Sequence, residues 1–191
     1  MKIFFDTEFT GLHKNTTLIS LGMIDEDGRT FYAEFNDYDE SQCDEWIHEN
    51  VIKNLKWAKE GPVEEFVNLL DKGSLEVYGN TAYIKDALKD WLWRYDTVEL
   101  VSDVCHYDMV LFIDIFGGAF KLPYTVTPAC HDINQDIAKY YGISEKEAFD
   151  KSREEIANEY KHIEGDKHNS LYDAKVIKAI YAGLNGFLYM I

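Results

Sequence analysis

The apolar positions follow two periods along the chain, a strand-like one near the start and a helix-like one later. Residues 2–6 form a short apolar run rich in Phe and Ile, which predicts a strand with Asp6 near its end. Residues 17–24 predict a second strand, and the alternation over 29–35 a third. Asp25-Glu26-Asp27-Gly28 is a tight-turn signal, because its Asp-Gly ending accepts positive φ. Strands joined this way make an antiparallel meander. From Ser41 the period changes: Trp46, Ile47, Val51, Leu55 and Trp57 recur roughly at helical spacing until Gly61-Pro62 interrupts. Residues 63–70 predict a short helix ending near Gly73, and residues 76–78 a strand. Residues 80–95 predict an amphipathic helix with Tyr83, Ala87, Leu88, Trp91 and Leu92 on its apolar side. A strand over 98–102 and a helix over 107–116 follow, the helix closed by Gly117-Gly118. Further helices are predicted over 132–141, 144–160 and 170–184. Strands first, then helices with interspersed strands, indicate an α/β domain with a mixed central sheet.

Composition narrows this picture. A length of 191 residues suits one domain, residues 1–191, and 46% hydrophobic residues allow a substantial core. Only three prolines and no low-complexity stretch leave no sign of a linker or repeat. Cys43, Cys105 and Cys130 are far apart, odd in number and in no Cys-x-x-Cys pair. That spacing argues against a zinc knuckle or disulfide framework and for reduced thiols in a cytoplasmic protein. The apolar run at the N-terminus is too short for a signal peptide, and no segment is apolar enough over enough length to span a membrane. Trp46, Trp57, Trp91 and Trp93 fit either core packing or an exposed apolar face that supports a homodimer.

The formal net charge of −16 argues against broad electrostatic binding of nucleic acid. Local metal charge can still dominate a small site. Three groups of residues carry candidate chemistry. In Asp6-Thr7-Glu8, an extended backbone points both carboxylates to one side. Carboxylates that close repel unless they are protonated or bridged by cations, and hard oxygen ligands suit Mg²⁺ or Mn²⁺. His168 precedes the last predicted helix, with Asn169 or Ser170 as its N-cap, and Asp173 lies within that helix. Asp108 stands at the start of another helix, where it also serves as ordinary capping chemistry.

Taken together these residues bring a resemblance. Phe5-Asp6-Thr7-Glu8-Phe9-Thr10-Gly11-Leu12 resembles the first motif of the DEDDh exonucleases, the superfamily that includes the polymerase proofreading subunit, RNase T and oligoribonuclease. Tyr107-Asp108 with its apolar helix resembles the second motif, and His168 with Asp173, as His-x-x-x-x-Asp, the third. The motifs occur in family order over nearly the whole chain, and the size is similar to the small stand-alone exoribonucleases, including exoribonuclease A-like and phage-encoded forms. Many members carry His-Asn before the second-motif aspartate, whereas Asp103-Val104 stands there, so Asp103 competes with Asp108 for that role.

The resemblance implies an RNase H-like fold and a 3′–5′ exonuclease releasing nucleoside monophosphates from single-stranded 3′ ends, RNA preferred over DNA. It implies that Asp6, Glu8, Asp108 and Asp173 hold two Mg²⁺ or Mn²⁺ ions, roughly 3.5–4 Å apart, one orienting the attacking water and one stabilising the leaving oxygen. His168 is implied as general base, and Phe9, Thr10 and Leu12 as contacts to the terminal nucleotides. Two rivals stand beside this reading: a non-catalytic RNA- or protein-binding module on the same scaffold, and an RNase H-like endonuclease.

Overall fold

The computed structural model describes residues 1–57 and 64–187. The expected meander is present: β1 (Lys2–Phe9), β2 (Leu18–Asp25) and β3 (Thr30–Phe35) pair antiparallel, with Asp6 opposite Gly22 and Glu8 opposite Ser20. β1 runs past Asp6 to Phe9, so Asp6 and Glu8 share one face while Thr7 points to the other. β4 (Phe66–Leu69), β5 (Leu75–Gly79), β6 (Val98–Ser102) and β7 (Val126–Asp132) complete a seven-stranded mixed sheet in the order β4-β5-β3-β2-β1-β6-β7. β6 lies parallel to β1, which brings its end at Ser102 toward the end of β1.

The sheet has a helical layer on each face. Phe5, Leu21 and Met23 pack with α2 (Thr81–Leu92) and α3 (His106–Ile115). Phe4, Ile24 and Val101 pack with α4 (Ile133–Tyr141), α5 (Glu145–Phe149), α6 (Arg153–Asn158) and α7 (Ser170–Leu184). The alternation of Phe4 and Phe5 to opposite faces is the strand period at work. This is the mixed α/β, RNase H-like architecture that the sequence predicts.

Several element predictions need correction. Within 63–70 the described residues form β4, a strand that hairpins onto β5 through Asp71-Lys72-Gly73, where Lys72 and Gly73 both take positive φ. Gly61-Pro62 and Val63 lie outside the described residues. The predicted helix over 144–160 is two short helices, α5 and α6, because Ser144 and Ser152 each cap a separate start; Ser144 completes a capping box with Glu147. The stretch after Ser41 is one short helix, α1 (Glu45–Asn50), between two single turns of 3₁₀. β7 has no counterpart among the predicted elements: it holds Pro128, which an edge strand tolerates. Of the four tryptophans, Trp57 and Trp91 are buried, whereas Trp46 and Trp93 are exposed.

α7 crosses directly over β1 and β2, and Gly22 makes that approach possible. A Cβ on Gly22 would collide with the backbone of Ser170 and Leu171. Backbone cannot rotate aside as a side chain can, so α7 must shift. Gly22→Ala is therefore expected to cost at least about 1–3 kcal/mol, the usual range for overpacking. Denaturant unfolding measures it; unchanged stability would show that the helix has room to move.

Candidate active site

The N-terminal end of α7 meets the face of β1 that carries Asp6 and Glu8. The hydroxyls of Ser20 and Ser170 hydrogen-bond at 2.9 Å, and Asn169 caps the helix by accepting from the Tyr172 N–H. His168 sits just before this cap with φ 62, a left-handed conformation that costs energy for a residue with a Cβ. Three contacts hold it. The His168 backbone N–H donates to Asp173 Oδ2 at 2.9 Å. On one side of it, Asn54 Nδ2 donates to the Lys167 carbonyl at 2.9 Å; on the other, Asn169 Nδ2 donates to the Asn54 carbonyl at 3.3 Å. The imidazole Nδ1 then lies 4.0 Å from Glu8 Oε1, with the ring edge-on to Trp46 at 5.0 Å between centroids. Val104, across the site, is also at positive φ (52), which is rarer still for a β-branched side chain.

Glu8, His168 and Asp173 each offer a donor atom within 4.8 Å of the others, close enough to share one cation. Asp6 lines both lobes of the surrounding cleft, of about 330 Å³ and about 200 Å³. Asp108 reaches in from the opposite layer. Its Oδ1 accepts from the Thr7 N–H at 3.1 Å and the Thr7 hydroxyl at 2.5 Å, and its Oδ2 from the Ser102 hydroxyl at 2.9 Å. Asp103 lines the cleft too, but it is tied to Arg153 Nε at 2.6 Å and accepts from Asn134 Nδ2 at 2.8 Å.

Electrostatics separates these carboxylates. Burial holds Asp6 and Glu8 well above the usual carboxylate range, and repulsion from Asp108 and Asp173 adds to it. Burial pushes Asp173 up to about 7, against the His168 N–H, and Asp108 up to about 6, against its bonds from Thr7 and Ser102. His168 is shifted the other way, below the usual imidazole range, by burial and then by the nearby charge of Lys167. Four carboxylates that resist ionisation as a group, with oxygens facing a cleft, fit hard divalent cations, which favour their charged forms.

The expected nucleotide contacts divide. Phe9 lines the cleft and stacks on Tyr107 at 5.4 Å, and Leu12 stands 78% exposed at its rim. Thr10 is turned inward: it is buried, its hydroxyl meets Gln42 at 2.6 Å and Thr17 N–H at 2.9 Å, and its own N–H donates to the Thr17 carbonyl. It anchors the loop, and no lining of the cleft comes from it. Trp46 and Asn54 were not singled out for the site from sequence; they enter it through tertiary contacts, and no local signal marks them. Tyr107 stood beside Asp108 in the second motif, and its stacking on Phe9 is a tertiary contact.

The second-motif position can be tested by charge removal. An asparagine at 108 can still accept from Thr7 and offer its amide to Ser102. Asp108→Asn is therefore expected to fold and to lose turnover by orders of magnitude. Asp103→Asn is expected to keep most turnover and to lower the melting temperature, since it weakens a partly buried ion pair with Arg153. The reverse pattern in paired rate and melting measurements would move the role to Asp103.

Residues 1–184 match the family profile of the 3′–5′ exoribonuclease Rv2179c-like domain. The 3′–5′ exoribonuclease Rv2179c of Mycobacterium tuberculosis (strain H37Rv) is 26% identical over 145 residues, covering 71% of this chain and 73% of that protein. Among solved structures, the nuclease domain of 3′hExo, described as a DEDDh family member bound to rAMP, superposes with a TM-score of 0.65 at 14% identity, covering 97% of this chain and 92% of that one. Pop2p of S. pombe, in its Mg²⁺- and Mn²⁺-bound form, gives a TM-score of 0.57 at 16% identity, covering 99% and 84%. At these identities the structural likeness establishes the fold.

Proposed function

The chain belongs to the Rv2179c-like 3′–5′ exoribonuclease family, a family of hydrolytic nucleases, and on that premise we propose that residues 1–191 act as one exonuclease domain releasing nucleoside monophosphates from the 3′ end of single-stranded RNA. The observation that carries this reading is the meeting of Glu8, His168 and Asp173 in one cleft, beside Asp6 and Asp108. Asp6, Glu8, Asp108 and Asp173 would hold two Mg²⁺ or Mn²⁺ ions. When bound, the ions supply Lewis-acid charge to the attacking water and the leaving 3′ oxygen.

The chain's own groups do the rest. His168, kept neutral by its depressed pKa, accepts the proton of the attacking water. The left-handed backbone at His168 and the Asn54 contacts on either side aim the ring at Glu8. Phe9 on Tyr107, with Leu12 at the rim, offers apolar surface to the terminal bases. Base stacking tolerates sequence variation, which suits stepwise removal of successive nucleotides. RNA preference rests on the family and on the likeness to a 3′-exonuclease solved in recognition of a histone mRNA 3′ end, with a TM-score of 0.65, 13% identity and coverage of 97% of this chain and 81% of that one.

A second reading has a specific observation behind it. His168 lies within ligand distance of Glu8 and Asp173, so it can serve as a ligand with the base elsewhere. A panel of 3′- and 5′-labelled RNA and DNA, with a circular RNA beside it, tests the function. Mononucleotide release from linear RNA 3′ ends, in Mg²⁺ or Mn²⁺, is the expected result. Cutting of the circle would indicate an endonuclease, and retention of intact RNA in every metal would indicate a binding module.

A further inference from the structure

On a chain with 35 acidic and 19 basic residues, one pocket is cationic. It lies under the side of α7 that faces β2 and the segment leading to His168, has a volume of about 430 Å³, and gathers Lys161, His162, Lys175 and Lys178 around Ile24, with Glu164 as its one acidic lining residue. Lys178 is buried at 6% exposure, and among the described residues its ammonium donates to one acceptor, the Glu26 carbonyl at 3.0 Å. An ammonium carries three donors, so two remain to be spent. The side chains of Lys161 and Lys175 make no hydrogen bond or ion pair among the described residues, whereas Lys167, on the same segment, is paired with Glu154 at 3.3 Å. Burial lowers the pKa of Lys178; the Asp25 carboxylate, with smaller help from Asp27 and Glu26, opposes that shift, and the nearby Lys161 charge adds to it.

Lys161, Lys175 and Lys178 outnumber Glu164, the one carboxylate that lines the pocket, and such an excess of cations is unfavourable; a buried ammonium with unused donors adds to the cost. An anion with several acceptor oxygens relieves both terms at once. The position narrows its identity. Lys178 is five residues beyond Asp173 on α7, about 7.5 Å along the helix axis at 1.5 Å per residue. The same segment that lines the pocket at 161–164 carries His168 at the cleft.

We infer that the Lys161–Lys175–Lys178 pocket is a phosphate-anion site that takes the backbone of the RNA strand upstream of its 3′ end. This rests on the exonuclease reading, and it changes what the net charge implies. Contacts are not confined to the terminal nucleotides, and affinity carries a local salt dependence that the overall acidity conceals.

The test is binding of 5′-fluorescent RNA of three and of twelve nucleotides, by anisotropy across a salt series, in chelator so that the strand stays intact. For the twelve-mer, Lys161→Gln/Lys175→Gln is expected to flatten the slope of log affinity against log salt by about 1.4, from two lost phosphate contacts at about 0.7 each on a single strand. Lys161→Gln alone, an exposed position certain to leave the core intact, should flatten it by about 0.7. The three-mer should show no such change, and neither should the twelve-mer with Lys89→Gln/Lys121→Gln, which removes equal charge elsewhere. Equal slopes in the wild type and both pocket variants would overturn the proposal. So would inorganic phosphate shifting the Lys175 and His162 NMR signals while the RNA slope stays put, since the pocket would then serve a free anion. If the wild type digests RNA and the slopes are equal, the pocket alone has failed. If RNA is bound with the expected slopes but never digested, the exonuclease reading has failed and the pocket stands.

Discussion

Chelation is expected to reduce RNA hydrolysis to background, and Mn²⁺ or Mg²⁺ to restore it. The carboxylates at the end of β1, on α3 and on α7 resist ionisation together, with Asp173 pushed to about 7 and Asp108 to about 6. Cations must therefore displace protons, so Mn²⁺ affinity should rise with pH through that interval. A linked effect appears in stability. A carboxylate whose folded pKa is raised contributes stability that is fully present below its unfolded pKa, near 3.8, and lost as pH rises through the folded value. The metal-free protein thus carries a penalty from Asp173 that grows between pH 4 and 7. Asp173→Asn removes the charge while its amide oxygen still accepts from the His168 N–H. In chelator at pH 8 that variant is expected to melt above the wild type, and in Mn²⁺ to be inactive with little thermal shift. Calorimetric titration and melting curves check both. Full activity of the wild type in chelator would remove the metal mechanism, and a lower melting temperature for the metal-free variant would remove the repulsion argument.

His168→Ala is expected to lose about 10²–10⁴-fold in turnover, the usual worth of a positioned base. The metals should still bind, since carboxylates hold them in the proposed arrangement. The pH profile carries the sign of the pKa shift. Burial and then Lys167 depress the His168 pKa below 6.5, so the imidazole is neutral at pH 7. With Mn²⁺ saturating at every pH, the wild-type rate should fall on the acid side through that lowered pKa, and the variant should lose this limb. Single-turnover rates beside Mn²⁺ titration separate the two roles open to this residue. Loss of Mn²⁺ affinity with a preserved rate at saturating metal would make His168 a ligand, as its place within 4.8 Å of the Glu8 and Asp173 donors allows.

Much of this site was legible because local pattern encodes it. Alternation in β1 places Asp6 and Glu8 on one face wherever the strand pairs, and the apolar period after Ser170 yields α7 with the limits Ser170–Leu184. A cap at Asn169 and a carboxylate one turn later follow from the same local geometry. Elements at the sheet edges were harder. β4 and β7 are the edge strands of the sheet and bury few of their residues, so no in–out alternation marks them, and Pro128 within β7 masks it further.

What sequence by itself offered was therefore a candidate set of carboxylates and a histidine, assembled through a resemblance, together with most of the elements that carry them. The elements rest on interactions within a few residues, where period and capping leave a readable trace. Only the tertiary structure distinguishes the surroundings of Asp103 and Asp108: Arg153, fifty positions away, engages the first, and Thr7 and Ser102 orient the second. Only it brought Asn54 to the backbone beside His168 across 113 positions, set Trp46 against the imidazole, turned Thr10 inward and gathered three lysines on an acidic chain. Such pairings depend on how distant segments close onto one another, and that is settled by the packing of two whole layers against the sheet, which no local window of residues contains.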